Sequence, residues 1–254
     1  MRIEIAGRTH AGMKRSQNED SYLLLPEEYL VCVADGMGGH ASGEIASKIA
    51  IEELAEFFKM TGKDQEVTWP FKMDKSRGYD ENRLSTAIKL ANARIYERAG
   101  SDQRYKGMGT TIATLYFTAD RAYVAHVGDS RVYMVRDGSF SQLTEDHSLL
   151  NDYLKAKKLS AEEIEAFPHK NVIVRALGMK DTVEVDISNF EPRENDLFLL
   201  CSDGLSGMAS GAQIYEVLSQ VDGLERACDR LIQMANGAGG NDNVTCVLAR
   251  YHRN

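Results

Sequence analysis

Several features are scarce in this chain of 254 residues, and each scarcity excludes a class of protein. There are four cysteines, Cys32, Cys201, Cys228 and Cys246, far apart and without a CxxC pair. Cys32, Cys201 and Cys246 lie inside apolar runs, where a thiol serves as a small core residue. Neither a disulfide framework nor a zinc site is expected, and a reducing cytoplasm fits. No apolar run approaches the roughly 20 residues that cross a bilayer, and the opening MRIEIAGRTH has no apolar signal region. A soluble, cytoplasmic protein without membrane contact is the expectation. Positive charge is in deficit too, with 30 Lys and Arg against 38 Asp and Glu and a formal net charge of −8. Nucleic-acid binding calls for a basic face; the densest cluster, KAKK at 155–158, reads as a solvated helix face. Internal repeats and low-complexity tracts are absent.

What the chain does have is core material, 43% hydrophobic residues. RIEIAGRT, SYLLL and YLVCVAD read as strands, with PEE turning between the last two. Ile45, Ile49, Leu54 and Phe58 then recur at helical spacing, which predicts a helix from Ser42 to about Lys59. Residues 60–82 are polar, hold the only tryptophan and read as a surface excursion. Leu84, Ile88, Ala91 and Ile95 mark a second helix. GMGTTIATLYF, RAYVAHVG and SRVYMVRDGSF follow as strands, with Asp137-Gly138 a hairpin turn. Residues 144–171 are charged and read as a helical appendage. TVEVDISNF and DLFLLCSDG are strands, a helical stretch covers about 213–234, and NVTCVLARY closes the chain. Strands and helices in segregated runs predict α+β layers, antiparallel sheets covered by helices.

Acidic residues share one grammar. Asp35 ends LVCVAD before Gly36, Asp203 ends LFLLCSD before Gly204, and Asp242 stands in the turn of GGNDNVTCVL. Glu19 and Asp20 precede SYLLL, and Asp129 lies between two strands in VGDSR. Any one of these is an ordinary turn residue. Brought together they would repel, two carboxylates about 4 Å apart by roughly 4 kcal/mol at an effective dielectric of 20. Such a cluster needs cations, and hard oxygen donors select Mg²⁺ or Mn²⁺. Gly36, with no Cβ, is expected to let its carbonyl reach a metal.

Eight segments, in order, carry a family resemblance: GMKRSQNEDSY (12–22), VADGMGGHASGE (33–44), MGTT (108–111), VGDSRVY (127–133), LTEDHSL (143–149), ALG (176–178), LLCSDGL (199–205) and GGNDNVT (239–245). The chain resembles the metal-dependent protein serine/threonine phosphatases of the PPM, or type 2C, family in their bacterial single-domain form. The resemblance implies one domain over 1–254, a four-layer α-β-β-α sandwich, with a flap at about 144–171. It implies two Mn²⁺ or Mg²⁺ ions, with Asp35 bridging them, the Gly36 carbonyl on one, and Asp203 and Asp242 completing the other shell. Glu19 and Asp20 stand opposite, one or both acting through bound water, and Asp129 with Asp203 holds a weaker third ion.

The implied reaction is hydrolysis of protein phosphoserine and phosphothreonine by a metal-bridged hydroxide attacking phosphorus in line. No cysteine stands before a glycine-rich arginine turn, which excludes a cysteine-nucleophile phosphatase. Arg15, a planar fork suited to phosphate oxygens, is the expected phosphate cation. His40 either protonates the leaving alkoxide or orders water and caps the following helix. His126 and His147 read as structural, as does His10, which stands where the family has Asp. The implied partners are phosphorylated proteins, among them a Ser/Thr kinase and its substrates, and a monomer is expected. Two alternatives stand beside this reading: a catalytically inactive regulatory module of the same fold, and a two-metal phosphodiesterase.

Overall fold

The computed structural model describes residues 1–39, 42–63, 68–156 and 172–253. One sheet has the strand order β1 (Arg2–His10), β11 (Val244–His252), β10 (Leu197–Cys201), β7 (Arg131–Arg136), β8 (Ser139–Gln142). The other runs β2 (Asp20–Leu25), β3 (Leu30–Met37), β5 (Ile112–Phe117), β6 (Ala122–Val127), β9 (Asp186–Phe190), with β4 (Gly109–Thr110) also on β3. Every pairing is antiparallel.

Strand alternation builds the layers. On β10, Leu197, Leu199 and Cys201 face the helices, while Phe198 and Leu200 face the opposite sheet. β11 divides in the same way, Val244, Cys246 and Leu248 outward against Val247, Ala249 and Tyr251 inward. On β3, Val31 and Val33 turn inward, and Leu30, Cys32 and Ala34 meet the helices. Each fully buried side chain of this size contributes about 1.5–3 kcal/mol, so the apolar centre holds the two sheets together. The long helices α1 (Ser42–Lys63) and α2 (Tyr79–Ser101) cover the β3 sheet. The β10 sheet is covered by α5 (Gly211–Gln220) and α6 (Leu224–Gly237). A short α3 (Leu149–Ala156) follows β8, and a single turn, α4 (Asp203–Ser206), follows β10. This is the α-β-β-α sandwich.

The sequence reading needs three corrections. The helix from Ser42 runs on to Lys63. Trp69 is partly buried, its ring 5.7 Å from Phe57 and 5.2 Å from Tyr79, so aromatic contact ties this residue to the helices. The helical stretch near 213–234 is two helices, broken where Gly223 takes φ 85° before α6. Asp137 and Gly138, both at positive φ, form the expected hairpin turn. All four cysteines are free and buried. Among the described residues, no helix is long and apolar enough to cross a membrane. Of the flap at 144–171, residues 157–171 lie outside the described residues.

Candidate metal centre

Antiparallel pairing gathers the acids at one end of the sandwich. Asp20, the first residue of β2, lies directly opposite Asp35 in β3. Asp203 opens α4 just past β10, and Asp242 stands just before β11. Cys201 pairs with Cys246 at that end, which sets Asp203 and Asp242 side by side. Gly204 makes this approach possible, because a Cβ there would collide with the Asn243 carbonyl oxygen. Asp129 occupies the connection between β6 and β7, whose first residue, Arg131, is itself opposite Cys201.

Asp35 is the hub. Its N–H donates to the Thr111 hydroxyl at 3.0 Å. Its carbonyl accepts from Thr111 N–H at 2.9 Å and from the Thr110 hydroxyl at 2.8 Å. Thr111 lies in the gap between β4 and β5, so its side chain supplies a bond the ladder lacks. With the backbone pinned, the carboxyl lies within reach of the charges of the other acids. Burial pushes it well above the usual carboxylate range, and the negative charges of Asp20, Asp203, Asp129 and Asp242 push further. Asp203 is raised by burial and by the charge of Asp242, with Asp35, Arg15 and Arg131 acting in the other direction.

Asp20 and Asp129 are each 7% exposed. Burial, with the charges of Asp203 and Asp242 adding to it, pushes Asp20 up to about 7 against the hydroxyls of Thr245 and Ser202. Asp129 is pushed to about 7 by burial, then by Asp203 and Asp146. One oxygen of each, Oδ1, is buried without a hydrogen-bond partner among the described residues.

Glu19 turns elsewhere. Its Oε1 accepts from Gly43 N–H at 3.2 Å near the start of α1, and its carbonyl accepts from Gly36 N–H at 3.2 Å. Gly36 also meets a packing constraint. A Cβ there would run into the backbone of Gly43 and Glu19, so close contact of β3 with α1 requires it. Arg15 pairs with Asp242, Nη2 to Oδ2 at 2.8 Å, and this pairing keeps its guanidinium charged. His10 accepts from Gly12 N–H at 2.9 Å through Nδ1. His40 lies outside the described residues.

Sequence reasoning missed Asn243. Its amide donates to the carbonyls of Ala11 at 3.0 Å and Gln17 at 2.8 Å, and accepts from Glu19 N–H at 2.7 Å. One side chain thus ties the segment bearing Arg15 and Glu19 to the turn bearing Asp242. Its only signal is an asparagine in a glycine-rich turn, where side-chain bonds to backbone are common.

The acid cluster fits divalent cations. Asp20, Asp35, Asp129, Asp203 and Asp242 offer oxygen alone, the donor set of Mg²⁺ and Mn²⁺. Two guanidinium groups, Arg15 and Arg131, act electrostatically on Asp203, and each is already engaged, with Asp242 and Asp146 respectively. The orphaned Oδ1 atoms add buried acceptors in need of a partner.

A second group, His126, His147 and Asp186, has its ligand atoms within 4.8 Å of one another. Those atoms are already engaged. His126 Nε2 lies 2.8 Å from the Glu145 carbonyl, which places its proton there. Gly128 N–H donates to His147 Nδ1 at 3.0 Å, leaving Nε2–H for Asp186 at 3.2 Å. Arg175 Nη1 donates to Asp186 Oδ1 at 2.7 Å and lies 3.2 Å from His147 Nε2, so a guanidinium already sits against two of the three groups. The imidazoles stack at 4.7 Å, and burial pushes both below their ordinary 6.5.

A double antiparallel sandwich with an all-carboxylate cluster at its loop end is the frame of a metal-dependent hydrolase. The Protein phosphatase 2C family model matches residues 6–249. Protein phosphatase PhpP of Streptococcus pneumoniae is 36% identical over 249 residues, 97% of this chain and 96% of that protein. The serine/threonine phosphatase PstP/Ppp of Mycobacterium tuberculosis superimposes with a TM-score of 0.87 at 34% identity, each chain fully covered. The catalytic domain of PstP in complex with two manganese ions gives 0.82 at 33% identity, with 99% of each chain covered. The chain belongs to the protein phosphatase 2C family and is a metal-dependent protein serine/threonine phosphatase.

Proposed function

We propose that the core site holds two ions, Mn²⁺ or Mg²⁺, on Asp35, the Gly36 carbonyl, Asp203 and Asp242. Asp20 and Glu19 support them from the opposite side, and Asp129 shares a third ion with Asp203. The observation that carries this reading is Asp35, whose carboxyl is acted on at once by Asp20, Asp203, Asp129 and Asp242. Bound divalent cations offset that charge and make water at the site more acidic. Arg15 orients the phosphate. Its Nη2 is held by Asp242, and among the described residues Nε and Nη1 have no other partner, which leaves an edge of the fork for phosphate oxygens. His40 supplies the proton that the departing serine or threonine oxygen needs.

The substrates are phosphorylated proteins, including a Ser/Thr kinase and its targets, met as a cytoplasmic monomer. The domain spans 1–254, and the flap at 144–171 forms part of the substrate surface. Phosphate release from a phosphothreonine peptide tests the reading: activity should need Mn²⁺ or Mg²⁺, stop with chelator and be lost in Asp203→Asn. Turnover that survives both treatments contradicts it.

A further inference from the structure

Behind Asp20 lies a closed ring of hydrogen bonds that the reaction chemistry does not itself call for. Asp20 N–H donates to Asn18 Oδ1 at 3.2 Å, and Asn18 Nδ2 donates to the Thr9 hydroxyl at 2.8 Å. The Thr9 and Thr245 hydroxyl oxygens are 2.7 Å apart, and the Thr245 hydroxyl donates to Asp20 Oδ2 at 2.7 Å. Because the Thr245 proton is committed to the carboxylate, Thr9 must donate to Thr245, and the ring has one direction. A second hydroxyl, Ser202 Oγ, donates to the same Oδ2 at 2.8 Å and accepts from Thr245 N–H at 3.0 Å.

The members come from both sheets. Asp20 begins β2, whereas Thr9 is in β1, Thr245 in β11 and Ser202 follows β10. Ser202 and Thr245 are fully buried, so their donors have no water to turn to. Two hydroxyls on one oxygen fix the carboxylate's rotation and leave Oδ1, buried and without a partner among the described residues, as its free acceptor. Hydrogen bonds to a metal-directed carboxylate set its orientation, and their loss typically weakens metal binding by about 10- to 100-fold.

Resting on the metal-site reading above, we infer that Thr245 and Ser202, backed by Thr9 and Asn18, are positioning residues that aim Asp20 at the metal centre. The ring acts through Asp20 and touches neither phosphate nor peptide. Calorimetric titration of Mn²⁺ into the full chain tests it on the wild type and on Thr245→Val, Thr245→Ser, Thr9→Val and Asp35→Asn. Thr245→Val should bind Mn²⁺ about tenfold or more weakly. Thr245→Ser should restore binding, and Thr9→Val should show a smaller loss of the same sign. The Mn²⁺ needed for half-maximal activity should rise in step while KM for the phosphopeptide stays level. A merely structural role would lower the melting temperature and leave Mn²⁺ affinity alone. Thr9 is at the exposed end of β1, so its variant keeps the test decisive if Thr245→Val does not fold. Folded Val variants that bind Mn²⁺ like the wild type overturn the inference, provided Asp35→Asn has lost binding. If Asp35→Asn also binds normally, the metal-site reading falls instead.

Discussion

Removing a charge from the acid cluster should stabilise this enzyme when it is stripped of metal, and Asp129→Asn is the sharpest case. Asp129 is 7% exposed, and burial with the charges of Asp203 and Asp146 lifts its carboxyl from an ordinary 3.8 to about 7. A carboxyl raised on folding holds its proton more tightly in the folded chain, so ionising it costs stability. That cost is absent below pH 3.8, grows as pH rises and is complete above about pH 7. The interval is worth about 4 kcal/mol. Asparagine cannot ionise but keeps a polar group in the same buried place, which gives back about 1–3 kcal/mol. The net gain at pH 8 is therefore about 1–3 kcal/mol, or roughly 2–12 °C in melting temperature for a chain of this size. Thermal melts followed by circular dichroism in chelator, at pH 8 and pH 4.5, read this directly. The variant should melt above the wild type at pH 8 and lose that advantage at pH 4.5, and added Mn²⁺ should raise the wild type more. A variant that melts lower at pH 8 in chelator, or gains equally at both pH values, refutes the reasoning.

Three other outcomes are expected. His126 and His147 are held below their ordinary 6.5, so their contribution is intact above pH 6.5 and lost as pH falls from there. The urea midpoint should drop between pH 7.5 and 5.5, and less steeply in His147→Gln; equal slopes would speak against it. Arg83 is buried and gives Nη2 to Glu28 at 2.8 Å and Nε to the Thr61 hydroxyl at 2.8 Å. Arg83→Met strands Glu28 and should cost about 3–5 kcal/mol in urea unfolding; a loss below 1 kcal/mol would show the pair to be solvent-like. His40→Ala should slow phosphopeptide hydrolysis far more than that of p-nitrophenyl phosphate, whose leaving group needs little protonation, and equal losses would point to a structural histidine.

The layers were legible because strand-like and helical runs are segregated along the chain, whereas β10 and the apolar part of β3, buried on both faces by different partners, do not show which residue faces which layer. The acids were legible because each ends or begins a strand beside a glycine or a turn. Less of what holds them could be read. Asn243, Thr111 and Thr245 carry side-chain bonds between segments far apart in the chain, and a lone Asn or Thr in a strand-like run gives no sign of its partner. Gly36 carries a second constraint that the sequence does not show: beside the metal approach expected of it, a Cβ there would collide with the backbone of Gly43 and Glu19. The break at Gly223 was missed because apolar spacing continues on either side of it.

The central claim concerns where cations bind, and anomalous diffraction from Mn²⁺-soaked crystals locates them without reference to activity. The account predicts manganese peaks within bonding distance of Asp35, Asp203 and Asp242. Peaks confined to His126, His147 and Asp186, with the carboxylate cluster empty, would contradict it.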